Sequence, residues 1–548
     1  MKTKMPKDYP PPSRPVTMGA NGMVASAHPL ASLAGVRVLS EGGNAFDAAL
    51  TTATTLGVVE PYMSGIGGIG VALAYIAKED RVRALDFSGR APKEAEPELF
   101  TTESLETGVM APMVPGNAAG WLTLHDAYGT MDRERLFRPA IQYATEGFPL
   151  TYFNNKTIAA VASKLRGFAS STSVILGCDG RVPPPGARTR FPQLAASLRE
   201  LAVGGQETLY GGELGSRIVT ATKEAGGLFC EEDFAEYQAE WMEPISVEYR
   251  GHRIFTTPPN CSSFQVLQTL KTMEVFGHEE LSSQDADTLH LQLEAVKLAV
   301  ADRKQYAGDP EHVAAPLEQL LSTSYAAKQC ELIDRSQASS GISGGLSLES
   351  LEGTLRSDNP NVLRGTTHLA VADRDGNVVT ITQTLGGPFG SGVSIGDTGI
   401  FLNNMQRYFD LDGDSPNVIG PGKRVDFVVA PTQTFRDGRF FLSMGTPGSY
   451  GILHTTVQLL MNVIDFGMTP QQAIDAPRFR YFGGRQVKME ERYPLNTRRD
   501  LESRGHEVEV IQAWSPIVGG AQAIQVDSNQ GIFHGGADPR RDGYTFGL

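Results

Sequence analysis

Thr366 stands where a threonine could act as a nucleophile. It follows Gly365 at the end of a polar segment, residues 336–365, and begins an apolar run typical of a buried strand. If the Gly365–Thr366 bond were cut, the new amino terminus would carry a nucleophilic hydroxyl and its own base, since an α-amine has a pKa of about 7.7–8.0. A threonine that simply starts a strand is the commoner use of such a position, so position alone leaves both interpretations open.

A hairpin predicted after Thr366 would bring a second hydroxyl to it. The turn sequence Asp373-Arg-Asp-Gly-Asn377 separates two apolar runs. A three-residue loop that ends at a left-handed Gly376 places Thr384 opposite Thr366, on the same face of the sheet. A two-residue loop would instead place Leu385 opposite Thr366 and separate the two hydroxyls. The geometry of the site therefore depends on the turn.

The segment from Thr366 to Thr384 resembles the nucleophile segment of the γ-glutamyltranspeptidase family, whose members are N-terminal-nucleophile hydrolases that cut themselves before the first threonine. The resemblance extends over nearly the whole chain, through His28-Pro-Leu-Ala-Ser32, Gly42-Gly-Asn-Ala-Phe-Asp47, Val58-Val-Glu-Pro61, Ser64-Gly-Ile-Gly-Gly68, Val114-Pro-Gly116, Leu298-Ala-Val-Ala-Asp-Arg303 with Gly308-Asp-Pro310, and Phe401-Leu-Asn-Asn404. It implies an α/β fold, a four-layer αββα sandwich built from two fragments of one precursor. Residues 1–365 would form the large fragment, with residues 336–365 as an exposed linker, and residues 366–548 the small one.

The resemblance also implies roles for individual residues. Thr366 would be the nucleophile for cleavage of the Gly365–Thr366 bond and for attack on substrate amides, and the Thr384 hydroxyl would support it. Gly448 and Ser449 correspond to the glycine pair whose backbone N–H groups form the oxyanion hole. Ser449 replaces the family's second glycine, but every residue except proline keeps that N–H. Such a donor typically contributes about 10²–10³ in rate.

The departures from the family concern substrate recognition. Tyr408 stands where the family has the aspartate that binds the substrate's α-amine, and Asn404, which ends the matching phrase before it, is also expected to bind substrate. A buried ammonium without a carboxylate partner costs several kcal/mol, so Tyr408 disfavours an α-amino acid head. Ser88 replaces the family's carboxylate-binding arginine, and Arg90 follows two residues later, either to hold a carboxylate or as a surface arginine on a turn. Two more substrate-binding positions differ: Phe427-Val428 in place of paired serines, and Gly386 in place of an asparagine.

These residues favour an autoprocessed amidohydrolase that hydrolyses a small amide lacking an α-amino group through a threonine acyl-ester. The candidate substrates are an oxamate-like amide acid or an acyl side chain of the kind that cephalosporin acylases remove. A true γ-glutamyltransferase acting on glutathione and a non-catalytic binding or scaffold protein are the alternatives. The expected partners are the small-molecule amide and the two fragments with each other, with a homo-oligomer left open. No cofactor or metal is expected.

The helices and strands that position these residues can be predicted from the periodicity of apolar residues and from the residues that begin and end each element. The glycine phrase Ser64-Gly-Ile-Gly-Gly-Ile-Gly70 precedes a strand, so it predicts close backbone packing near a site and not a dinucleotide loop. The other expected elements are helices from Pro29 to Gly42 and from Ala45 to Leu56, a helical stripe over Leu291–Arg303, strands at Val71–Ile76, Thr367–Ala372, Val378–Thr384, Val425–Val429 and Arg439–Met444, and a helix that includes Leu453–Phe466.

Composition excludes several other classes of protein and of site. The 548 residues include 48 basic and 62 acidic ones, a net charge of −14, which argues against a general nucleic-acid binder. The four cysteines are widely spaced and indicate neither a disulfide framework nor a zinc site. Neither a secretory signal nor a run of 18 apolar residues is evident, so the expected location is the cytoplasm, away from membranes, unless the sequence lacks a leader.

Overall fold

The structure is a computed structural model and describes residues 13–177, 179–340 and 365–548. The α-helices are α1 Pro29–Ser40, α2 Ala45–Val59, α3 Thr102–Glu106, α4 Asn117–Tyr128, α5 Arg133–Glu146, α6 Tyr152–Arg166, α7 Ala169–Ser171, α8 Pro192–Gly204, α9 Glu213–Glu224, α10 Glu231–Ala235, α11 Phe264–Glu274, α12 Ala286–Tyr306, α13 Leu317–Leu320, α14 Thr323–Glu331, α15 Gly451–Ile464, α16 Pro470–Asp475 and α17 Leu495–Ser503.

The strands are β1 Thr17–Gly19, β2 Gly22–Ser26, β3 Ile69–Ile76, β4 Arg81–Phe87, β5 Phe148–Pro149, β6 Arg188–Thr189, β7 Glu240–Met242, β8 Ile245–Tyr249, β9 His252–Thr256, β10 Gly365–Asp373, β11 Val378–Gly386, β12 Ser394–Ile395, β13 Ile400–Phe401, β14 Thr432–Arg436, β15 Arg439–Gly445, β16 Phe479–Gly483, β17 Gln486–Glu490, β18 Glu507–Ile511, β19 Gln522–Asp527, β20 Ile532–Ala537 and β21 Tyr544–Gly547. None of the described helices is both long and apolar enough to cross a membrane.

Two seven-stranded sheets organise these elements. The strand order of the first sheet is β21-β2-β10-β11-β3-β4-β7, and that of the second is β1-β20-β19-β15-β14-β9-β8. Each sheet mixes strands from before and after Thr366, and β10 lies between β2 and β11. The sequence on both sides of the predicted cut therefore contributes to both sheets.

The sheets face each other across a small apolar core. Ala370 and Ala372 of β10 pack with Ile524 of β19 and Phe533 of β20 in this space. The outer faces carry helices: α2 packs on β10 and β11, and α11, α15 and α16 cover the second sheet. The molecule is thus a four-layer αββα sandwich, as the family resemblance implied.

Helix α2 shows why the sequence folds this way beside the site. The Asn44 side chain caps its first turn, and Asp47 completes a capping box. Every residue of α2 is buried, and its many alanines and threonines allow close packing against β10 and β11. The helix ends at Val59, and the next residue, Glu60, accepts the hydroxyl of Thr367 near the start of β10.

The hairpin has the register expected for the three-residue loop and not that of the two-residue alternative. Thr366 pairs with Thr384, and Gly376 is left-handed with φ 89°. The other expected helices and strands are also found, apart from Val425–Val429. That segment is a packed loop with an isolated bridge from Phe427 to Cys261. Its valines reflect burial and not membership of a sheet.

The described residues at the two ends of the predicted linker are partly buried, although the whole linker was expected to be exposed. Ser336 and Gln337 are exposed, but Ala338 is buried and its N–H donates to the carbonyl of Arg504 at 2.7 Å. Gly365 is buried as the first residue of β10. Residues 341–364 lie outside the described residues, so the prediction for them stays a prediction, as does the division into two fragments at this point.

Candidate active site

Thr366 and Thr384 form a buried hydroxyl pair between the two sheets. Their Oγ1 atoms lie 3.0 Å apart, and Thr366 is 5% exposed. Because side chains alternate along a strand, Thr366 shares its face with His368, whose ring lies against Gly445 at the end of β15. The hydroxyl pair therefore lies on the face of β10 that packs against the second sheet, near the end of β15. Burial lowers the pKa of His368 to about 3, so this neighbouring ring is neutral.

The hydroxyl of Thr384 links the nucleophile to the bond before it. It donates to the carbonyl oxygen of Gly365 and accepts the N–H of Gly386 at 2.8 Å. A hydroxyl has one donor and two acceptor sites, so the remaining acceptor site receives the O–H of Thr366. Thr384 thus polarises the Gly365 carbonyl while orienting the Thr366 oxygen beside it.

A bulge creates this arrangement. Gly365 pairs with Gly386 while Thr366 pairs with Thr384, so Leu385 is an extra residue on β11 opposite the Gly365–Thr366 bond. The Leu385 N–H donates to the carbonyl of Met63, and its own carbonyl accepts the N–H of Asn404. A bulge redirects backbone groups locally, and here it turns the Gly386 N–H toward the Thr384 hydroxyl.

Backbone packs unusually close at this point. A Cβ atom on Gly365 would lie 2.4 Å from the carbonyl oxygen of Gly387 and 2.9 Å from that of Tyr62, so a side chain at position 365 does not fit. A Cβ on Gly68 would lie 2.5 Å from the carbonyl oxygen of Thr384. The glycine phrase therefore packs backbone against the site, as predicted.

Arg541 and Glu60 hold the backbone that follows Thr366. An Arg541 Nη1 donates to the Thr366 carbonyl oxygen at 2.9 Å, and Glu60 Oε2 accepts the hydroxyl of Thr367 at 2.9 Å. Both side chains are buried. Burial raises the pKa of Glu60 to about 7, against the opposing effects of Arg541 and Thr367, and burial lowers that of Arg541. Glu60 Oε1 has no hydrogen-bond partner among the described residues.

The predicted oxyanion loop lies at the amino end of α15. Gly448 has φ 147° and Ser449 has φ 55°, a left-handed conformation that favours glycine. Backbone N–H groups at a helix amino terminus suit an anion, which fits the role expected for Gly448 and Ser449. The Ser449 hydroxyl lies 3.0 Å from that of Tyr408, and both side chains are buried. The structure therefore joins Tyr408 directly to this loop.

Asn404 fixes the loop after β11. Its Oδ1 accepts the N–H of Gly387 at 2.7 Å, and its Nδ2 donates to the carbonyl of Glu106 at 2.8 Å. Both ends of the amide are thus engaged by backbone. A substrate contact from Asn404 stays a prediction.

Arg90 lies in an ion-pair cluster. Its guanidinium contacts Glu240 at 3.2 Å and Glu311 at 3.0 Å, and it donates to the carbonyl of Gly422. The side chain is 30% exposed. A role for Arg90 in binding a substrate carboxylate stays a prediction, with these acidic partners already in place.

Comparison with known proteins identifies the family. The model of the gamma-glutamyltranspeptidase family matches residues 31–548. The chain belongs to this family. It is therefore an enzyme of the N-terminal-nucleophile type, as the resemblance implied, and the non-catalytic alternative is set aside.

Its relatives include hydrolases and acylases named as proenzymes. The glutathione hydrolase-like YwrD proenzyme of Bacillus subtilis is 34% identical over 97% of this chain and 99% of its own length. The acylase ACY 1 proenzyme of Pseudomonas sp. strain SE83 is 35% identical over 96% of this chain and 93% of its own. The solved cephalosporin acylase of Bacillus halodurans superposes with a TM-score of 0.90 at 34% identity, covering 99% of both chains. The likeness extends over the whole sandwich.

Two residues of the site, Glu60 and Arg541, were not predicted from the sequence. Glu60 lies inside a family phrase, Val58-Val-Glu-Pro61, so a signal existed, but nothing in the sequence connects it to Thr367. Arg541 lies 175 residues from Thr366. Only the folded chain, in which the segment after β20 meets the start of β10, reveals that contact.

Proposed function

We propose that the protein is an autoprocessed amidohydrolase that cuts its own Gly365–Thr366 bond and then uses Thr366 to hydrolyse a small amide lacking an α-amino group. The observation that carries the proposal is the Thr384 hydroxyl, which contacts the Gly365 carbonyl oxygen and lies 3.0 Å from the Thr366 oxygen. One side chain thus touches both the attacking atom and the group it would attack.

In self-cleavage, Thr366 Oγ1 attacks the Gly365 carbonyl carbon. The Thr384 hydroxyl stabilises the developing oxyanion, and the C–N bond breaks as the threonine nitrogen takes up the proton of the hydroxyl. Water then hydrolyses the ester, leaving a Gly365 carboxylate and a free Thr366 amine and hydroxyl. Arg541 and Glu60 keep the Thr366–Thr367 backbone in place through these steps.

The mature site would treat a substrate amide in the same way. The Thr366 amine takes the proton of its own hydroxyl, the oxygen attacks the amide carbon, and the amine product leaves with that proton. The N–H groups of Gly448 and Ser449 are the proposed donors to the oxyanion. Water then releases the acid from the threonine ester, which regenerates the enzyme.

The substrate preference rests on Tyr408. Its hydroxyl is hydrogen bonded to that of Ser449. By the family resemblance this position would need a carboxylate to hold an α-ammonium, and a phenol supplies none. The acylase relatives are consistent with an acyl group that lacks this amine. A true γ-glutamyltransferase remains the second candidate, since other relatives are named glutathione hydrolases.

Cleavage is tested by mass spectrometry of the denatured protein. We expect two chains, residues 1–365 and 366–548, with an amino-terminal Thr366. Thr366→Ala should remain one chain. Thr384→Val, which keeps the shape and loses the hydroxyl, should slow cleavage about 10²-fold, whereas Thr384→Ser should cleave at nearly the normal rate. An intact wild-type chain that hydrolyses amides would refute the mechanism.

Substrate class is tested with the purified, cleaved protein. A panel of γ-glutamyl, oxamate and simple acyl amides, followed by release of ammonia or amine, should show turnover of amides without an α-amino group. A γ-glutamyl amide as the best substrate would instead identify a glutathione-type enzyme.

A further inference from the structure

His290, Glu294 and His506 form a buried cluster where α12 packs against α17 and the residues that follow it. His290 and Glu294 lie one turn apart on α12, and His506 lies between α17 and β18. Each of the three residues is at most 3% exposed. One nitrogen or oxygen atom of each lies within 4.8 Å of those of the other two. Residues i and i+4 share a face of a helix, so α12 directs two possible metal ligands toward a third.

The His290 ring has the orientation of a metal ligand. Its Nε2 lies 2.7 Å from the carbonyl oxygen of Asp334, which can only accept a hydrogen bond, so Nε2 carries the proton. In the neutral ring the lone pair is therefore on Nδ1, which lies 2.8 Å from Nε2 of His506. A histidine that binds a metal usually donates its other N–H to a carbonyl or carboxylate group, which fixes the lone pair toward the ion.

Both imidazole rings of the cluster are held neutral. Burial lowers the pKa of His290. Burial also lowers the pKa of His506 to about 3, and three nearby cations add to this effect. These cations are Lys297, Arg485 and Arg504. Neutral imidazole is the form that binds a metal ion, so protons do not compete with the ion for the two rings near pH 7.

Glu294 supplies the carboxylate of the cluster, and Lys297 competes for it. Oε1 of Glu294 lies 4.0 Å from Nε2 of His506 and accepts the Lys297 ammonium at 2.7 Å. Oε2 accepts both the N–H and the hydroxyl of Ser339, which fixes the carboxylate. Lys297 also donates to the Ser339 carbonyl at 2.9 Å, so it keeps a partner when an ion takes Oε1. Burial lowers the pKa of Lys297, which makes its proton easier to displace.

The two arginines near the cluster are engaged by other groups. Arg504 pairs with Asp287 and Asp500, and Arg485 donates to the Ala338 carbonyl. Positive charge nearby still opposes any cation, so coordination to the ring nitrogens must supply the affinity. Ca²⁺ and Mg²⁺ prefer several oxygen ligands, whereas Zn²⁺ commonly binds imidazole nitrogens together with a carboxylate. The ligand set therefore favours a transition metal of the zinc type.

We propose that His290, Glu294 and His506 bind a divalent transition-metal ion, with Zn²⁺ the best match to their ligand atoms. Two imidazole nitrogens and a carboxylate oxygen leave one position for water, which completes the four-coordinate geometry of zinc. Because His290 precedes Thr366 and His506 follows it, the ion would join the two fragments of the cleaved chain. Binding of the ion does not rest on the proposed function, since the cluster is present in the uncut chain. The proposal departs from the sequence-based expectation of no metal, because the two histidines lie 216 residues apart and no local spacing connects them.

Metal analysis of tag-free protein tests the site. Protein stripped with EDTA and then dialysed against Zn²⁺ should retain one ion per chain, whereas Mg²⁺ should not be retained. Co²⁺ in place of Zn²⁺ should give the visible absorption of a four-coordinate site with nitrogen ligands. Glu294→Gln and His506→Ala should each weaken Zn²⁺ binding at least about 10-fold. Lys297→Met should strengthen Zn²⁺ binding severalfold, because the competing ammonium is lost.

The control variant His312→Ala removes an exposed histidine outside the cluster and should bind Zn²⁺ as the wild type does. Zn²⁺ should raise the Tm of the wild type and of Lys297→Met but not that of Glu294→Gln, since an ion that binds the folded state stabilises it. Failure to retain Zn²⁺, or retention that Glu294→Gln and His506→Ala leave unchanged, overturns the site. Weaker binding by Lys297→Met also overturns it, because the cluster would then be an ion pair that only supports the fold. If His506→Ala does not fold, Glu294→Gln decides, because it keeps the shape of the side chain.

Discussion

Glu60 is a carboxylic acid buried at this site beside the start of β10. It is fully buried, it accepts one hydrogen bond from Thr367, and the positive charge that acts on it is that of Arg541, which also holds the Thr366 carbonyl. Burying a carboxylate favours its protonated form. The start of β10 is therefore held by an acid that gains a proton on folding near neutral pH.

Glu60→Gln should change how stability depends on pH. The folded pKa of about 7 lies above the ordinary 4.5, so the folded state binds more protons in this range and wild-type stability falls as pH rises from about 4.5 to 7. The displacement corresponds to at most about 3 kcal/mol. Thermal unfolding from pH 5 to 8 should show the wild type losing stability relative to Glu60→Gln. The control variant Glu79→Gln changes an exposed carboxylate, so its stability should depend on pH as that of the wild type does. The same pH dependence for Glu60→Gln would contradict the raised pKa of Glu60.

The junction of β10 with the loop after β11 sets the geometry of the proposed scissile bond. The bulge at Leu385 and the close approach of Gly387 to Gly365 place the Gly365 carbonyl against the Thr384 hydroxyl. Both features are backbone geometry. A change that moves the strand without touching either hydroxyl should therefore impair cleavage.

Gly365→Ala tests that junction. Its Cβ would lie 2.4 Å from the Gly387 carbonyl oxygen and 2.9 Å from that of Tyr62, both backbone atoms that cannot turn away. The start of β10 must shift, and misplacement of a reacting group by about 1 Å can cost about 10²-fold in rate. A time course of chain cleavage should show this loss. Gly413→Ala, where the added methyl meets nothing within 4 Å, should cleave normally.

The sequence could predict the hairpin but not what surrounds it. Turn chemistry around Gly376 is local, so the pairing of Thr366 with Thr384 followed from the loop length. The contact of Arg541 with Thr366 joins distant parts of the chain. Its formation depends on packing of the whole sandwich. The Val425–Val429 strand failed for a related reason, because apolar β-branched residues indicate burial without specifying a hydrogen-bonded neighbour.

At the scale of the molecule, the two sides of the proposed cut are interleaved. In the first sheet β2 lies between β21 and β10, and in the second sheet β20 lies between β1 and β19. The chain also closes on itself, since the Leu548 carbonyl accepts the N–H groups of Ala20 and Asn21. Neither fragment could leave without breaking hydrogen bonds in both sheets.

The cleaved protein should behave as one particle until it unfolds. We expect both fragments to elute together under native conditions and to separate only in denaturant. After dilution from denaturant, uncut Thr384→Val protein should regain its native circular-dichroism spectrum far more completely than cut wild type. Cut wild type should recover better as its concentration rises, because two chains must meet. Recovery independent of concentration would contradict this.

Because the sheets are interleaved, the two halves should assemble fast only while they are still covalently joined. In the precursor, residues 341–364 are part of a covalent connection that gives the two halves a high effective concentration for each other. Cleavage removes that advantage while leaving the finished structure intact. The lifetime of the mature enzyme is then set by the rate at which the sandwich opens and not by an equilibrium with its unfolded chains. A molecule whose two fragments have separated would reassemble only slowly, so lost enzyme would be replaced mainly by new synthesis.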